Sequence, residues 1–165
     1  MSDPLDQILK LGNHKLYESS DSLKPEELPQ AMEKARTMAG LIEAFRQRHG
    51  AGRAIAAPQI GYMKRLIVVN IDQPILIINP SLEEKSREMM ELWDDCMSFP
   101  NLLVRVRRHR KCRLRFLNAQ WEEESWELED ELSELLQHEY DHLDGILATQ
   151  RAIDNQSYAL SSERP

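Results

Sequence analysis

Residues 138–142 read His-Glu-Tyr-Asp-His, and this pentapeptide constrains the fold more than any other feature of the chain. On an α-helix, residues i and i+4 lie on one face, about 6 Å apart along the axis at roughly 1.5 Å per residue. His138 and His142 can then direct ring nitrogens at one metal ion, with Glu139 close enough to act on a water there. The alternative is an exposed polar helix face that carries two unrelated histidines.

The surrounding residues favour a helix. Acidic residues suit a helix N-terminus, where the dipole favours negative charge, and they include Glu127, Glu129, Asp130, Glu131 and Glu134. Apolar residues recur at spacings of three and four positions, namely Leu132, Leu135, Leu136, Leu143 and Leu147. Because Gly145 is placed to end such a helix, we expect the pentapeptide on the last helix of the chain.

Length, charge and cysteine content narrow the class of protein. At 165 residues, the chain is expected to form a single domain, 1–165, with a loosely docked polar tail at 148–165. The net charge of −7 argues against specific nucleic-acid binding. No apolar run approaches the length of a membrane span, and the first residues lack the features of a signal peptide. Two cysteines do not make a disulfide framework, so we expect a cytoplasmic protein with free thiols. Because no apolar run is long enough, we expect no membrane partner.

The remaining patterns predict an α+β fold. A helix is expected over 29–48, ended by Gly50, with a buried stripe of Ala31, Ala35, Met38, Ile42 and Phe45. Residues 66–71 and 75–78 are β-branched runs separated by turn residues, as in a hairpin. Residues 102–117 alternate apolar and basic side chains, as in two antiparallel strands with one solvated face.

The second of these strand regions is strongly basic. Seven Arg or Lys residues lie between 105 and 115, and a strongly acidic segment follows at 122–134. Either the basic residues form a solvated sheet face that the acidic segment partly neutralises, or they form a patch for ribosomal RNA or an acidic partner. We favour the first interpretation, because charge runs are usually solvated faces.

A catalytic metal needs a third protein ligand and one open position. Residues 143–151 contain no histidine or suitably placed glutamate, and Asp144 should point around the helix away from the site. A third ligand is therefore expected upstream, where Cys96 lies in the segment Trp-Asp-Asp-Cys-Met-Ser-Phe-Pro at 93–100. Cys96 is either a ligand or a small core residue, whereas Cys112 lies on the apolar face of a strand pattern and is expected in the core.

A third segment, 50–61, is rich in glycine and alanine. Small residues let a backbone pass close to a ligand, and Gln59 offers a side-chain amide that can donate to a developing oxyanion. The segment can equally be a tight structural turn. It is not a phosphate loop, since no Gly-Lys-Ser/Thr follows.

Together and in this order, the three segments resemble peptide deformylases. That family carries a Gly-x-Gly-φ-Ala-Ala-Pro-Gln segment, a Glu-Gly-Cys-φ-Ser segment and a His-Glu-x-Asp-His helix, which match residues 52–59, 94–98 and 138–142. Residues 8–13 are similar to the family's opening strand, and the resemblance extends over about 5–153. It implies small antiparallel or mixed sheets packed around a central metal-binding helix, with one N-terminal helix.

The resemblance also implies a metal site. Cys96, His138 and His142 would bind one divalent ion, commonly Fe(II) in the family, although zinc, nickel or cobalt can occupy the site. A thiolate and two imidazoles suit any of these ions, so the sequence does not choose among them. Asp94 and Asp141 would support the ligands from behind.

The implied reaction removes the formyl group from N-formylmethionyl peptides and releases formate. Glu139 would carry the proton of the attacking water to the leaving amine, while Gln59 and the backbone N–H of Met97 stabilise the oxyanion. Substrate would pair as an extended strand with the backbone around Gly52, Ala54 and Ile55. The implied partners are nascent chains, with transient contact to the ribosome.

The chain departs from the family pattern at two places. Ala54 replaces the second glycine of the first segment and follows Arg53, and Asp94-Asp95 replaces the usual Glu-Gly. If that glycine needs a positive φ, aspartate is among the better tolerated substitutes. These changes leave every expected ligand in place and bear on substrate range and rate. Two alternatives remain open: a divergent hydrolase with another N-acyl or peptide substrate, and a metal-binding protein without turnover.

Overall fold

The computed structural model describes residues 2–165, which form two helices and eight strands. The helices are α1 (Leu28–His49) and α2 (Asp130–Leu143). The strands are β1 (Ala54–Ala56), β2 (Leu66–Asn70), β3 (Pro74–Glu83), β4 (Met89–Asp94), β5 (Leu102–His109), β6 (Lys111–Leu117), β7 (Glu123–Glu129) and β8 (Tyr158–Leu160). The predicted α+β class is therefore confirmed.

Helix α1 forms where the apolar stripe predicts it. All five stripe residues are buried and pack against Ile55, Leu66, Val68 and Ile78 of the neighbouring sheet. Gly50 ends the helix in the left-handed region at φ 73°, and its N–H donates to the Arg46 carbonyl. No helix in the described part of the chain, 2–165, is long and apolar enough to cross a membrane.

A five-stranded antiparallel sheet has the order β1-β2-β3-β6-β7. β2 and β3 form the expected hairpin, and β3 pairs with β6 across an irregularity between Ile78 and Ser81. β1 pairs with β2 alone, through Ala54 with Val69 and Ala56 with Ile67. The other side of β1 has no partner strand among residues 2–165, and we call it the free edge of β1, although the Ala56 N–H there donates to Gln59 Oε1 at 2.9 Å.

A three-stranded sheet has the order β4-β5-β8. β5 and β6 are consecutive in sequence but belong to different sheets, because alternation specifies a wet and a dry face without specifying a partner strand. The tail at 148–165 is not loosely docked as expected. Leu103 of β5 pairs with Ala159 of β8, so backbone hydrogen bonds fix a segment whose composition has few apolar anchors.

Helix α2 contacts β1 and β7 of the larger sheet and β5 of the smaller one, so it is central to the fold. Leu135, Leu136 and Leu143 are buried against the larger sheet, whereas Leu132 is exposed. The assignment of Glu127 and Glu129 to the helix N-terminus is wrong. Both lie in β7, since they pair in register with basic residues of β6.

The basic face of β6 is neutralised by these acids. Three ion pairs join it to β7, namely Lys111–Glu129, Arg113–Glu127 and Arg115–Glu123. Arg110, which lies between β5 and β6, pairs with Asp130 in the first turn of α2. The interpretation as a solvated and partly neutralised sheet face is therefore confirmed for these residues.

Residues 8–13 do not form the expected opening strand. The Leu9 N–H donates to the Gln59 carbonyl at 2.7 Å, and the Leu11 N–H donates to the Ser98 carbonyl at 2.9 Å. These single bonds to a turn and a loop build no ladder, which is why no strand forms. They tie the segments that carry Gln59 and Cys96 to one another.

Candidate active site

Three buried side chains converge beside α2. The Nε2 atoms of His138 and His142 lie 3.3 Å apart, and Cys96 Sγ lies 3.5 Å from Nε2 of His142. All three potential ligand atoms lie within 4.8 Å of one another. The two histidines project from one face of α2 because they are four residues apart, while Cys96 reaches them from the loop after β4.

This arrangement fits a divalent cation. Imidazole lone pairs and a thiolate that face one another repel unless a proton or a cation lies between them. One proton bridges only two of the three donor atoms, whereas a cation binds all three. A thiolate with two imidazoles is a donor set that zinc and iron accept, and three protein ligands leave a position open for reaction. Two buried polar atoms nearby, Glu139 Oε2 and His142 Nδ1, have no hydrogen-bond partner among residues 2–165.

Glu139 lies beside the cluster with a buried carboxyl group. Burial raises the pKa of this carboxyl to about 7, against an opposing effect of His138. A carboxyl with its pKa near neutral can both accept and return a proton at physiological pH. Glu139 is thus chemically suited to carry a proton at this position.

Asp94 supports His138 from behind. Nδ1 of His138 donates to Oδ2 of Asp94 at 2.8 Å, which leaves the Nε2 lone pair directed at the cluster. Burial alone would lower the pKa of His138, but the Asp94 carboxylate holds it well above its usual value. The same negative field stabilises any cation that takes the place of the proton. For His142, burial and the neighbouring His138 hold the pKa well below its usual value.

Arg108 joins Asp94 to Asp141. Its guanidinium donates to Asp94 at 3.0 Å and to Asp141 at 2.6 Å, and its side chain is 3% exposed. Arg151 donates to both carboxylate oxygens of Asp141 at 3.0 and 2.9 Å. The network therefore connects β4, β5 and α2 behind the cluster, and both aspartates expected to support the ligands lie in it.

Sequence reasoning missed Arg108 by counting it among the solvated basic residues. The alternation of β5 carried the signal, since Val104, Val106 and Arg108 share the inward face while Arg107 faces solvent. A buried position in the strand pattern that holds arginine requires a carboxylate partner.

Gln59 lies next to the cluster. Its Oε1 accepts from the Ala56 N–H at 2.9 Å, which orients Nε2 toward Ser98 Oγ at 3.1 Å and Cys96 Sγ at 3.5 Å. The backbone N–H of Met97 makes no hydrogen bond to any other described residue. Gln59 Nε2 is thus a donor next to Cys96, and the Met97 N–H, in the residue after Cys96, has no protein acceptor among residues 2–165.

A cavity of about 270 Å³ opens beside the cluster. Gly52 and Ala54 line it, whereas the Ile55 side chain is buried in the core under α1. Gly52 has φ 137°, which side chains rarely adopt, and a Cβ there would lie 3.1 Å from the Met97 methyl carbon, so a substitution at this position is strained. Asp95 is exposed at the cavity and does not adopt a positive φ, so no left-handed backbone explains this departure.

Cys112 is separate from the site. It is buried in the core, where burial raises the pKa of its thiol, and its Sγ lies 3.5 Å from Ser133 Oγ. Its expected place in the core is confirmed.

Comparison with known proteins gives a consistent result. The family model of polypeptide deformylase matches residues 5–158. A peptide deformylase of Natranaerobius thermophilus is 41% identical over 119 residues, which are 71% of this chain and 75% of that protein. The crystal structure of the Thermotoga maritima peptide deformylase superposes with a TM-score of 0.80 at 26% identity, covering 89% of this chain and 97% of that one. The crystal structure of a Met-Ala-Ser-bound class I type b peptide deformylase of Acinetobacter baumannii superposes with a TM-score of 0.78 at 26% identity. The match covers 87% of this chain and 96% of that one.

Proposed function

Because the chain belongs to the polypeptide deformylase family, a family of hydrolases, we propose that it removes the formyl group from N-formylmethionyl peptides in a metal-dependent reaction. The observation that carries this proposal is the convergence of Cys96, His138 and His142 beside the buried carboxyl of Glu139. The products are formate and a peptide with a free α-amino group.

In this proposal, Cys96, His138 and His142 hold one divalent ion, with Fe(II) as the expected ion and zinc, nickel or cobalt as substitutes. When bound, the ion supplies Lewis acidity that polarises the formyl carbonyl and lowers the pKa of water. The Asp94 carboxylate keeps the ring of His138 oriented and its Nε2 available.

Glu139 accepts a proton from the attacking water and delivers it to the nitrogen of the leaving amine. The support for this role is its burial next to the cluster and the pKa of about 7 that burial produces. Gln59 Nε2 and the Met97 N–H donate to the formyl oxygen as negative charge develops on it. The support for Gln59 is that its Oε1 accepts from the Ala56 N–H, which orients the amide before substrate arrives.

We place an extended peptide along the free edge of β1, near Gly52, Ala54 and Ile55. Ala54 directs its backbone groups to this edge, because Arg53 and Ile55 pair with Asn70 and Val68 of β2. A substrate that adds to this edge as a strand places its N-terminus in the cavity that Gly52 and Ala54 line. The Acinetobacter baumannii peptide deformylase binds Met-Ala-Ser, which supports a short peptide as the ligand. We also propose that the substrates are nascent chains. The protein would then be cytoplasmic and would contact the ribosome transiently.

The test uses protein purified without oxygen and loaded with Fe(II) or Ni(II). We expect formate release from formyl-Met-Ala-Ser and none from acetyl-Met-Ala-Ser. Release of acetate instead would support the alternative N-acyl hydrolase. Absence of formate from any formylated peptide, with metal bound at one ion per chain, would overturn the proposal in favour of a metal-binding protein without turnover.

A further inference from the structure

The cavity beside the cluster has two different kinds of wall. Cys96, His138 and Glu139 are among its lining residues, so a substrate whose formyl group reaches them shares the cavity with the other lining residues. Part of that remainder is apolar, with Phe45, Leu92, Trp93, Met97 and Leu135. Another part is charged: it includes Asp94, Asp95 and Arg164 and an ion pair, in which Arg53 donates to a carboxylate oxygen of Glu134 at 2.8 Å.

The ion pair is built into the site by the backbone. Arg53 lies between Gly52 and Ala54 at the start of the free-edge strand, and Glu134 precedes His138 by four residues on the same face of α2. The side chains of Arg53 and Glu134 are 38% and 14% exposed, and both line the cavity. A side chain bound in this cavity therefore shares it with the pair.

The pair makes the cavity a poor match for a purely apolar side chain. A thioether placed against it removes water from two charges and returns no hydrogen bond, which is costly. A carboxamide can accept from the guanidinium, whose fork has five N–H donors, and can donate to the carboxylate. The apolar wall accommodates an aliphatic stem in either case.

We propose that Arg53 and Glu134 determine specificity, and that the enzyme accepts formylated peptides whose first side chain carries a carboxamide at the end of an aliphatic stem, as glutamine does, at least as well as methionine. This inference rests on the proposed deformylase function and concerns which side chain the cavity prefers.

The test compares formyl-Gln-Ala-Ser with formyl-Met-Ala-Ser, whose first side chains have similar length. We expect a ratio of kcat/KM, glutamine to methionine, of one or more. The variant Arg53→Leu/Glu134→Leu should lower this ratio at least about tenfold, because the hydrogen-bonding partners of the amide are gone. The swapped variant Arg53→Glu/Glu134→Arg keeps both partner types and should leave the ratio within about threefold.

A control removes an exposed ion pair on the sheet, through Arg113→Leu/Glu127→Leu, and should leave the ratio unchanged. Binding of the products Gln-Ala-Ser and Met-Ala-Ser, measured by calorimetry, gives a second readout that does not need turnover. The relative affinities should follow the same order as the kinetic ratios.

The outcomes separate the inference from the function it rests on. If neither formyl peptide yields formate, the proposed function fails. If formate is released but the wild-type ratio is below one, or the Leu/Leu variant keeps the wild-type ratio, the inference fails and the proposed function stands. The wild-type ratio decides even if a variant does not fold.

Discussion

Oδ2 of Asp94 lies 2.8 Å from Nδ1 of His138. The same oxygen accepts from Arg108, so one carboxylate both orients the imidazole and neutralises a buried guanidinium. Burial opposes ionisation of Asp94, but His138 and Arg108 outweigh it and hold the pKa of the carboxyl below its usual value. Aspartate is one methylene shorter than the family's usual glutamate, yet it makes both bonds.

Asp94→Asn should weaken metal binding about 10- to 100-fold, because an amide does not hold the His138 ring in the required tautomer as a carboxylate does. It should also lower the free energy of unfolding of the metal-free protein by about 3 kcal/mol, since Arg108 loses one of two buried partners. Competition with a chelator measures the metal affinity, and urea unfolding measures the stability.

The matched control for this network is Glu123→Gln, which breaks an exposed ion pair with Arg115 and should change stability by less than about 1 kcal/mol. Asp94→Glu retains the charge and should bind metal more tightly than Asp94→Asn. Wild-type metal affinity in Asp94→Asn would contradict the role given to this carboxylate.

Glu139→Gln should reduce kcat for formate release by about 10²–10⁴-fold while one metal ion per chain remains bound, because the proton carrier is lost and the ligands are kept. Formate release and metal analysis on the same sample measure this. Glu131→Gln, on the exposed face of α2, should retain full activity. A Glu139→Gln variant that keeps more than a tenth of the activity would refute a proton-transfer role.

Cys96→Ala should abolish retention of metal during dialysis against a chelator, since it removes the thiolate of a three-ligand site. Cys112→Ala should retain metal and lose stability only, because Cys112 lies in the core away from the histidines. Metal content after dialysis distinguishes the two. Equal retention in both variants would exclude Cys96 as a ligand.

Gly145→Ala should destabilise the protein by about 3 kcal/mol or more, since φ is +72° and an added Cβ would lie 2.6 Å from the Tyr17 carbonyl. Gly40→Ala, on the exposed side of α1 with nothing within 4 Å of the added carbon, should instead stabilise it by about 0.5–1 kcal/mol. Thermal unfolding of both variants tests the contrast. A tolerated Gly145→Ala would show that residues 17–18 can move away.

Features that depend on neighbours in the chain were predictable from the sequence. Helical spacing placed His138 and His142 on one face, and the stripe of α1 was recognisable because both depend on near neighbours in the chain. The split of β5 and β6 between two sheets was not predictable, since partner choice depends on long-range packing. The burial of Arg108 was not predicted for a related reason, because its partners Asp94 and Asp141 belong to other elements.

The free edge of β1 limits the period during which a substrate peptide can bind. Backbone groups at a sheet edge engage a peptide only while its own N–H and C=O groups are unoccupied. A helix or hairpin forms within about microseconds once enough chain is available, and it withdraws those groups. An enzyme that uses this edge therefore competes with the folding of its own substrate. In the proposed binding mode, chains whose first residues stay unstructured longest are the ones processed most completely.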